Sequence, residues 1–429
     1  MKEAVISPVK SLLGEVKAPP SKSYTHRALV AASLSDGRSK IRFPSVCQDA
    51  LATLRAVESY GAEVERRRRD FFIIGSERVK TPEDVVHCAE SAATIRFIAP
   101  ILALADGISV LTGAPSLRRR PMGPLLKALK ELGVECFSAR GDGRPPIIIF
   151  GGRGFGGKAS LPGNVSSQFV SGLLFASPLA NEDVEITLSS PLESKPYVKM
   201  TINVLAKHGV SILHSGNMGS YRIPSNQTYK PSNHEVPGDY SSSAFLLAAA
   251  AITNSKVRIK GLKFPSLQAD SAIVEILRNT GAQVKVGEGW IEVVGGSTLT
   301  GIEWNARHTP DLVPILAILG CFAEGETKIY HVERLRFKES DRIESLRLEL
   351  AKMGGKLTFR EGTLKVKGVK KLKGAVINPH GDHRIAMACS IAALRAEGET
   401  KILTPRCVRK SYPNFFKDLE KLGGKIAWK

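Results

Sequence analysis

Six short clusters of hydroxyl, amide and charged residues recur along the 429-residue chain, each directly before an apolar segment. They read SKSYTHR from Ser21, ESAAT from Glu90, GNVSSQ from Gly163, GDYSSS from Gly238, TPD from Thr309 and HGDH from His380. The first turn of a helix presents unpaired N–H groups and a positive dipole end, which favour anions. Helix capping is the alternative interpretation of Ser, Thr and Asp there. Because capping does not account for Lys22, Arg27, His383 and Arg384, the clusters indicate binding of anionic ligands.

The elements that must position these clusters are helices rich in small apolar residues. The segments are RALVAASLSDG, TIRFIAPILALADG, SSQFVSGLLFASPLA, SSSAFLLAAAAI, DLVPILAILGCFAEG and HRIAMACSIAALRAEG. Since they are apolar on every side, we expect the helices to be buried.

A second, amphipathic helix pattern alternates with the buried one and runs into Gly and a short strand. It begins at Leu54, Leu125, Ile202, Ile273, Leu346 and Phe415. The glycines that end it, Gly61, Gly133, Gly209, Gly281, Gly354 and Gly423, are 69 to 76 residues apart. A fixed period is typical of a repeat architecture. A polar stretch, residues 215–239, separates the third copy from the fourth, so the pattern predicts two sets of three α/β repeats with a domain boundary near the end of that stretch.

Composition limits the classes of function. The net charge of +20 is compatible with nucleic acid, an anionic membrane or acidic substrates as partners. The densest basic run, 66–69, lies at a predicted turn between strands, and only 6% of residues are aromatic, without the basic and aromatic interleaving of a nucleic-acid surface. The longest apolar stretch, 312–323, is shorter than the roughly 18 residues of a membrane span. We therefore expect a cytoplasmic protein without nucleic-acid or membrane partners.

The six cysteines show neither CxxC pairing nor metal-ligand spacing. Free thiols in a reducing compartment are the simplest interpretation, and no metal site is predicted.

Nine segments occur in the order found in the enolpyruvyl transferases. They are PSKSYTHRALVAA, TGAPSLRRRPMGPL, GNVSSQFVSGLL, SKPYVKMT, GDYSSSAFLLAAAA, TPDLVPILA, KESDRIESL, GDHRIAMA and KSYPNFF. The chain thus resembles this family over essentially its whole length, and most closely the members that act on shikimate 3-phosphate.

The resemblance implies an α/β fold of two similar domains. Each has three repeats of a two-helix, four-strand unit, with buried helices inside and sheets outside. The implied domains are 18–237 and 1–17 plus 238–429, with the active site in the cleft between them.

The implied reaction transfers the enolpyruvyl group of phosphoenolpyruvate to the 5-hydroxyl of shikimate 3-phosphate and releases phosphate, in the biosynthesis of chorismate and aromatic amino acids. The expectation is a monomer that needs neither metal nor organic cofactor. Such a site must surround two anions with cations and must hold an acid and a base at separate points.

The resemblance also implies the residues of the site. Those matching the phosphoenolpyruvate positions are Lys22, Ala92, Arg120, Gln168, Arg342, Arg384 and Lys410. Those matching the shikimate 3-phosphate positions are Lys22, Ser23, Arg27, Ser166, Ser167, Gln168, Ser194, Tyr197, Asp311 and Lys338. The catalytic set is Asp311, Glu339, Lys22 and His383. Arg suits such a site because its planar fork binds carboxylate or phosphate in two-pronged fashion.

Several of these residues also have a plain structural interpretation. By resemblance Asp311 deprotonates the 5-hydroxyl, but its position before an apolar helix also fits a cap. Glu339 is the candidate acid for the methylene carbon, although positive neighbours oppose its protonation. His383 is the candidate contact to the reacting region, or a buried histidine with a structural role. Ser166 with its neighbours reads equally as a helix cap.

The chain departs from the common family pattern in the segment 90–93, which reads Glu-Ser-Ala-Ala, and at Arg334. Glu90 and Ala92 stand in a segment that commonly reads Asn-Ala-Gly-Thr, and Arg334 stands where Asn is common. In this family glyphosate occupies the phosphoenolpyruvate site, so the extra methyl of Ala92 is expected to weaken that inhibitor.

Two other functions are alternatives to this transfer reaction. The UDP-N-acetylglucosamine enolpyruvyl transferases carry a reactive Cys or Asp in the loop that here reads APSLRR from Ala114, without either residue. A basic nucleic-acid-binding repeat protein would need the continuous basic and aromatic face that is missing.

Overall fold

The computed structural model describes residues 2–76, 78–152 and 154–429. Its contacts divide the chain into two compact units. The contiguous unit is Pro20–Val236, and the split unit combines the segment ending at Pro19 with Pro237–Lys429. Each unit has a hydrophobic core of its own.

Thirteen α-helices lie within the described residues. They are α1 Lys22–Ser33, α2 Gln48–Ser59, α3 Ala92–Leu102, α4 Pro115–Arg118, α5 Gly123–Glu131, α6 Ser167–Ala176, α7 Lys195–Lys207, α8 Tyr240–Ile252, α9 Ile273–Asn279, α10 Val313–Phe322, α11 Arg342–Lys352, α12 His383–Ala393 and α13 Phe415–Lys421. The predicted amphipathic segments fold as α2, α5, α7, α9, α11 and α13. None of the helices described has the length and apolar character needed to cross a bilayer.

Twenty-four strands lie in the same described part of the chain. They are β1 Glu3–Ser7, β2 Leu13–Lys17, β3 Arg38–Arg42, β4 Glu63–Arg67, β5 Asp70–Ile74, β6 Val86–His87, β7 Gly107–Thr112, β8 Glu135–Ser138, β9 Ile147–Gly151, β10 Gly157–Leu161, β11 Val184–Leu188, β12 Leu213–His214, β13 Ser220–Ile223, β14 His234–Glu235, β15 Lys256–Lys260, β16 Gln283–Gly287, β17 Trp290–Val294, β18 Glu303–Asn305, β19 Glu326–Tyr330, β20 Lys356–Arg360, β21 Thr363–Lys367, β22 Val376–Ile377, β23 Thr400–Leu403 and β24 Lys425–Trp428. The basic run 66–69 lies where predicted: its first two residues end β4 and its last two form the turn to β5.

The strands form six four-stranded sheets with one shared pattern. The sheets of the contiguous unit have the orders β14-β3-β5-β4, β6-β7-β9-β8 and β10-β11-β13-β12. Those of the split unit are β2-β15-β17-β16, β18-β19-β21-β20 and β22-β23-β1-β24. In every sheet the first pair is parallel and the other two are antiparallel. The mixed α/β class predicted from the sequence is therefore confirmed.

The first strand, β1, closes the last sheet. It lies between β23 and β24 and is antiparallel to both, with Ala4 opposite Trp428. The local sequence of a five-residue strand does not identify its partners, so this pairing is seen only in the structure.

The buried helices are α1, α3 and α6 in one unit and α8, α10 and α12 in the other. All thirteen residues of α8 are buried, as expected of a helix that is apolar on every side. Five of these helices begin with a side-chain cap, from Ser21, Ser91, Ser166, Asp239 and Asp382. The capping interpretation therefore holds for part of five of the six clusters, and leaves the charged residues beside the caps available for another role.

The six periodic glycines end the amphipathic helices. All of them have φ between 79° and 113°, the left-handed region that L side chains rarely adopt. The period seen in the sequence is therefore the period of the helix C-termini.

Candidate functional site

Arg342 is the centre of a buried charge cluster in the split unit. It lies at the first position of α11 and its side chain is 1% exposed. Its Nε donates to Asp382 Oδ2 at 2.8 Å, Nη1 to Asp311 Oδ1 at 2.9 Å and Nη2 to Glu339 Oε2 at 2.7 Å. Burial alone would lower the pKa of Arg342, but the three carboxylates outweigh it and raise that pKa. One guanidinium thus joins residues that precede three different helices.

Arg384 and Lys410 add two more buried cations to this cluster. Arg384 Nη2 donates to Asp311 Oδ2 at 2.9 Å, and Lys410 Nζ lies 3.5 Å from Glu339 Oε1. Although burial opposes the shift, the charges of Arg384, Lys338 and Arg342 hold the pKa of Asp311 well below its usual range. Burial lowers the pKa of Lys338 to about 8.

Asp311 is not a helix cap. The residue at the N-cap of α10 is Leu312, and it makes no side-chain capping bond. Pro314 occupies the first turn of that helix, where a missing N–H costs nothing. Both oxygens of Asp311 are instead committed to arginines, which favours the functional interpretation over the structural one.

His383 is the first residue of α12 and is fully buried. Its Nδ1 lies 3.7 Å from Asp382 Oδ1. Asp382 also caps α12, by accepting from the backbone N–H of Arg384 at 2.9 Å. One carboxylate therefore lies beside His383, caps the helix start and accepts from Arg342.

In the contiguous unit, Lys22 and Arg27 project from the first turns of α1. Lys22 Nζ donates to Asp49 Oδ2 at 2.8 Å, and Arg27 Nε donates to Thr201 Oγ1 at 2.8 Å. The Arg27 guanidinium lies 5.9 Å from the ring centre of Tyr197. Burial lowers the pKa of Arg27 to about 10, so the residue stays cationic at neutral pH.

Arg96 organises a second group in this unit. Its Nη1 donates to Gln168 Oε1 at 2.9 Å and to Ser166 Oγ at 3.2 Å. Its Nη2 donates at 3.3 Å to the carbonyl oxygen of Pro121, the residue after Arg120. Arg96 therefore links α3 to the capped start of α6 and to the loop that carries Arg120.

The remaining predicted residues lie at helix starts. Ser23 is in the first turn of α1, and its carbonyl accepts from Arg27. Ala92 and Ser167 are the first residues of α3 and α6, and both are buried. Ser194 precedes α7 with φ 56°, an unusual conformation for a non-glycine residue. Such conformations concentrate at functional sites.

The structure thus gathers the predicted residues into two sets. The set of the split unit is Asp311, Glu339, Arg342, His383, Arg384 and Lys410, with Lys338 acting on it electrostatically. The set of the contiguous unit is Lys22, Ser23, Arg27, Tyr197, Ser166 and Gln168, with Ala92, Arg120, Ser167 and Ser194 at neighbouring helix starts.

Sequence reasoning missed three residues that hold these sets in place: Asp49, Arg96 and Thr201. A signal existed for Arg96, which is a cation within an otherwise apolar segment. Asp49 and Thr201 lie in amphipathic helices, where polar residues are common and do not indicate a functional role.

The unusual residues Glu90 and Arg334 both have local partners. Ser116 Oγ donates to Glu90 Oε1 at 2.7 Å, and Arg334 Nη2 donates to the carbonyl oxygen of Arg307. Over residues 2–76, 78–152 and 154–429, no group of three or more His, Cys, Asp or Glu is arranged to hold a metal ion.

Chemically, these sets combine cations that suit phosphates and carboxylates with carboxylates and a histidine that can move protons. The carboxylates accept hydrogen bonds from the same Arg342 N–H groups that a bound anion would need.

The chain is similar to known proteins over its full length. The family model described as EPSP synthase (3-phosphoshikimate 1-carboxyvinyltransferase) matches residues 6–419. A 3-phosphoshikimate 1-carboxyvinyltransferase of Methanocaldococcus jannaschii is 42% identical, covering 99% of both chains. One of Methanocella arvoryzae is 46% identical, covering 96% of this chain and 97% of that protein. The solved EPSP synthase structure from Acinetobacter baumannii has a TM-score of 0.82 at 28% identity, covering 100% of both chains.

Proposed function

The chain belongs to the EPSP synthase family, and from this we propose that it transfers the enolpyruvyl group of phosphoenolpyruvate to the 5-hydroxyl of shikimate 3-phosphate. The products are 5-enolpyruvylshikimate 3-phosphate and inorganic phosphate, and the step belongs to aromatic amino-acid biosynthesis. The bond between C2 of phosphoenolpyruvate and its phosphate oxygen breaks, and a bond from that carbon to the 5-oxygen forms. The methylene carbon gains one proton and then loses one, so the proton lost by the hydroxyl leaves with the inorganic phosphate.

The observation that carries the proposal is the shared guanidinium of Arg342. It joins Asp311, the proposed base, to Glu339, the proposed acid, at 2.9 and 2.7 Å. A base and an acid held by one rigid fork can act at separate points of the same reacting centre.

The lowered pKa of Asp311 has a direct consequence for its role as a base. An aspartate held by Arg342 and Arg384 is a weak proton acceptor. When the phosphate or carboxylate of phosphoenolpyruvate takes up N–H groups of these arginines, it adds negative charge beside Asp311 and raises its pKa. Binding of one substrate would thereby activate the base for the other.

For shikimate 3-phosphate we propose the serines at the starts of α1 and α6, with Ser194, Arg27 and Tyr197. Hydroxyls and backbone N–H groups at helix starts, together with a buried arginine, suit a phosphate and a polyol. Lys22, Arg120 and Gln168 would complete the phosphoenolpyruvate site, with Lys22 close enough to both substrates to assist transfer. His383, oriented by Asp382, would contact the reacting atoms.

The finer architecture is part of the same proposal. Each unit would be a threefold arrangement of two-helix, four-strand repeats with helices inside and sheets outside. Residues of both units would act on one pair of substrates, in a cytoplasmic monomer.

The test is phosphate release from phosphoenolpyruvate in the presence of shikimate 3-phosphate or, separately, of UDP-N-acetylglucosamine. We expect release with shikimate 3-phosphate alone. Asp311→Asn serves as the control for contaminating activity, because it leaves the fold of the cluster nearly unchanged. Turnover with the nucleotide sugar alone would overturn the proposal.

A further inference from the structure

Four buried side chains of the contiguous unit form a continuous hydrogen-bonded chain. His26 Nδ1 lies 2.6 Å from Thr53 Oγ1, and Thr53 Oγ1 lies 2.6 Å from Thr94 Oγ1. The hydroxyl of Thr94 donates to Ser91 Oγ at 2.7 Å. All four residues are at most 1% exposed. The chain therefore joins α1 through α2 to the cap of α3 without access to solvent.

The direction of the hydrogen bonds follows from the number of hydrogens. A threonine hydroxyl has one hydrogen, and Thr94 gives its hydrogen to Ser91. The hydrogen between the two threonines must then come from Thr53. Because Thr53 has no second hydrogen, the ring of His26 must supply the one on Nδ1. The hydrogen-bonded chain thus permits one tautomer of His26, with a proton on Nδ1 and a lone pair on Nε2.

Two further observations agree with a neutral ring. Burial lowers the pKa of His26 to about 3, with smaller contributions from the charges around it. Its Nε2 is buried without a hydrogen-bond partner among the residues described, as a nitrogen without hydrogen can be. The charges that act on the ring are those of Asp49, Lys22 and Arg27.

The two ends of the chain lie beside residues of the proposed phosphoenolpyruvate site. His26 follows Lys22 by four residues, so both lie on one face of α1. Ser91 caps α3 by accepting from the N–H of Thr94, and Ala92 is the first residue of that helix. Breaking a bond of this hydrogen-bonded chain would therefore move the start of α3 relative to Lys22.

We propose that His26, Thr53, Thr94 and Ser91 are positioning residues: their hydrogen-bonded chain locks His26 in the Nδ1–H tautomer and fixes the start of α3 against α1. The fixed start sets the affinity for phosphoenolpyruvate. This second part rests on the proposed function, whereas the tautomer does not.

The tautomer is tested by histidine-selective ¹⁵N labelling and a long-range ¹H–¹⁵N spectrum of the whole protein. The ring of His26, one of nine histidines, should show an unprotonated Nε2 and a protonated Nδ1, unchanged from pH 5 to pH 8. His26→Gln identifies the resonance by its disappearance. A ring that carries its proton on Nε2, or that titrates in this range, would overturn the proposal.

The positioning role is tested with Thr53→Val, which keeps the shape of the side chain and breaks two bonds of the chain. We expect KM for phosphoenolpyruvate to rise roughly tenfold, because the start of α3 is no longer fixed against α1. KM for shikimate 3-phosphate should change less than twofold. Thr53→Ser keeps the hydroxyl and should restore the wild-type KM.

The matched control is Thr280→Val in the split unit, which also removes a buried hydroxyl hydrogen-bonded to a carbonyl oxygen. A merely structural role predicts that both valine variants lower Tm and that neither changes the ratio of the two KM values; that result would overturn the proposal. If Thr53→Val does not fold, His26→Leu breaks the chain at its other end and gives the same comparison. If the wild-type protein shows no turnover, the proposed function fails. The hydrogen-bonded chain is then tested by the spectrum and by calorimetric binding of phosphoenolpyruvate.

Discussion

At the scale of single residues, Arg342 decides the electrostatics of the split unit. Three carboxylates share its guanidinium, so removing it would leave a cluster of carboxylates short of positive charge. The arrangement holds carboxylates close together while leaving their protonation sensitive to any further anion. Substitutions of single carboxylates should therefore lower the rate of proton transfer more than they weaken substrate binding.

Asp311→Asn and Glu339→Gln should each lower kcat by about a hundredfold to ten-thousandfold, because each removes a group proposed to transfer a proton. The dissociation constant of shikimate 3-phosphate, measured by calorimetry, should change far less. Glu344→Gln is the control, since Glu344 lies in the first turn of α11, near Glu339 in the sequence, and forms an exposed pair with Arg347. Wild-type turnover in both site variants would remove these residues from the mechanism.

Ala92→Gly should strengthen inhibition by glyphosate about tenfold to a hundredfold. The methyl of Ala92 is buried at the start of α3, and close-packed surroundings leave it little room to move away from a snugly fitting ligand. KM for the shorter phosphoenolpyruvate should change only modestly. Ala99→Gly removes a buried methyl from the interior of the same helix and should leave inhibition unchanged. Strong inhibition of the wild-type protein would show that Ala92 does not contact the inhibitor.

At the scale of elements, the buried helices place their first turns where the chemistry is proposed. Side-chain caps satisfy the helix starts, and the charged residues stand within one turn of them. One more carboxyl is buried by this packing: Asp270, in the 3₁₀ turn Ala269–Ala272, accepts from Ser241 of α8. Its Oδ1 has no hydrogen-bond partner among the residues described.

Asp270→Asn should stabilise the protein more at pH 8 than at pH 5. Burial and then the charge of Asp311 raise the pKa of Asp270 from 3.8 to about 7, against the opposing charge of Arg384. The native state keeps this proton up to about pH 7, whereas the unfolded chain releases it near 3.8, so the free energy of unfolding falls as pH rises between these values. The advantage of Asn should grow by on the order of a few kcal/mol from pH 5 to pH 8 in urea unfolding.

The control is Asp36→Asn, which alters an exposed carboxyl on the loop after α1. It should give the same small change at both pH values. An equal effect of Asp270→Asn at the two pH values would show that Asp270 is ionised in the native protein.

The elements were largely predictable from the sequence, and the contacts between them were not. The period of the glycines and the uniformly apolar segments predicted the helices, because both depend on local sequence. The ion pairs of Asp311 depend on Arg342 and Arg384, 31 and 73 residues away, and no local pattern shows which residues such a carboxylate meets. For the same reason Thr53 and Thr94 read as ordinary helix residues, although they connect two helix starts.

At the scale of the whole molecule, the two units divide the proposed tasks. The contiguous unit has a core of its own and carries most of the residues proposed for shikimate 3-phosphate. The split unit carries the proposed acid and base, Glu339 and Asp311.

A fragment of residues 20–236 should therefore fold and bind shikimate 3-phosphate, though more weakly than the full chain because Asp311 and Lys338 are missing. It should show no turnover. Calorimetry measures the binding, and the same fragment with Arg27→Met should lose it. Turnover by the fragment would contradict the assignment of proton transfer to the split unit.

The place of β1 in the last sheet has a consequence for synthesis on the ribosome. β1 leaves the ribosome before every other strand described here, yet its partners are β23 and β24, and Ala4 pairs with Trp428. The contiguous unit can fold as soon as its last residue, Val236, has emerged, whereas the sheet that contains β1 must wait for β24. During translation β1 is therefore an unpaired strand on the same chain as a folded unit, so a nascent chain stalled once Val236 has emerged should expose β1 to protease while 20–236 is already resistant.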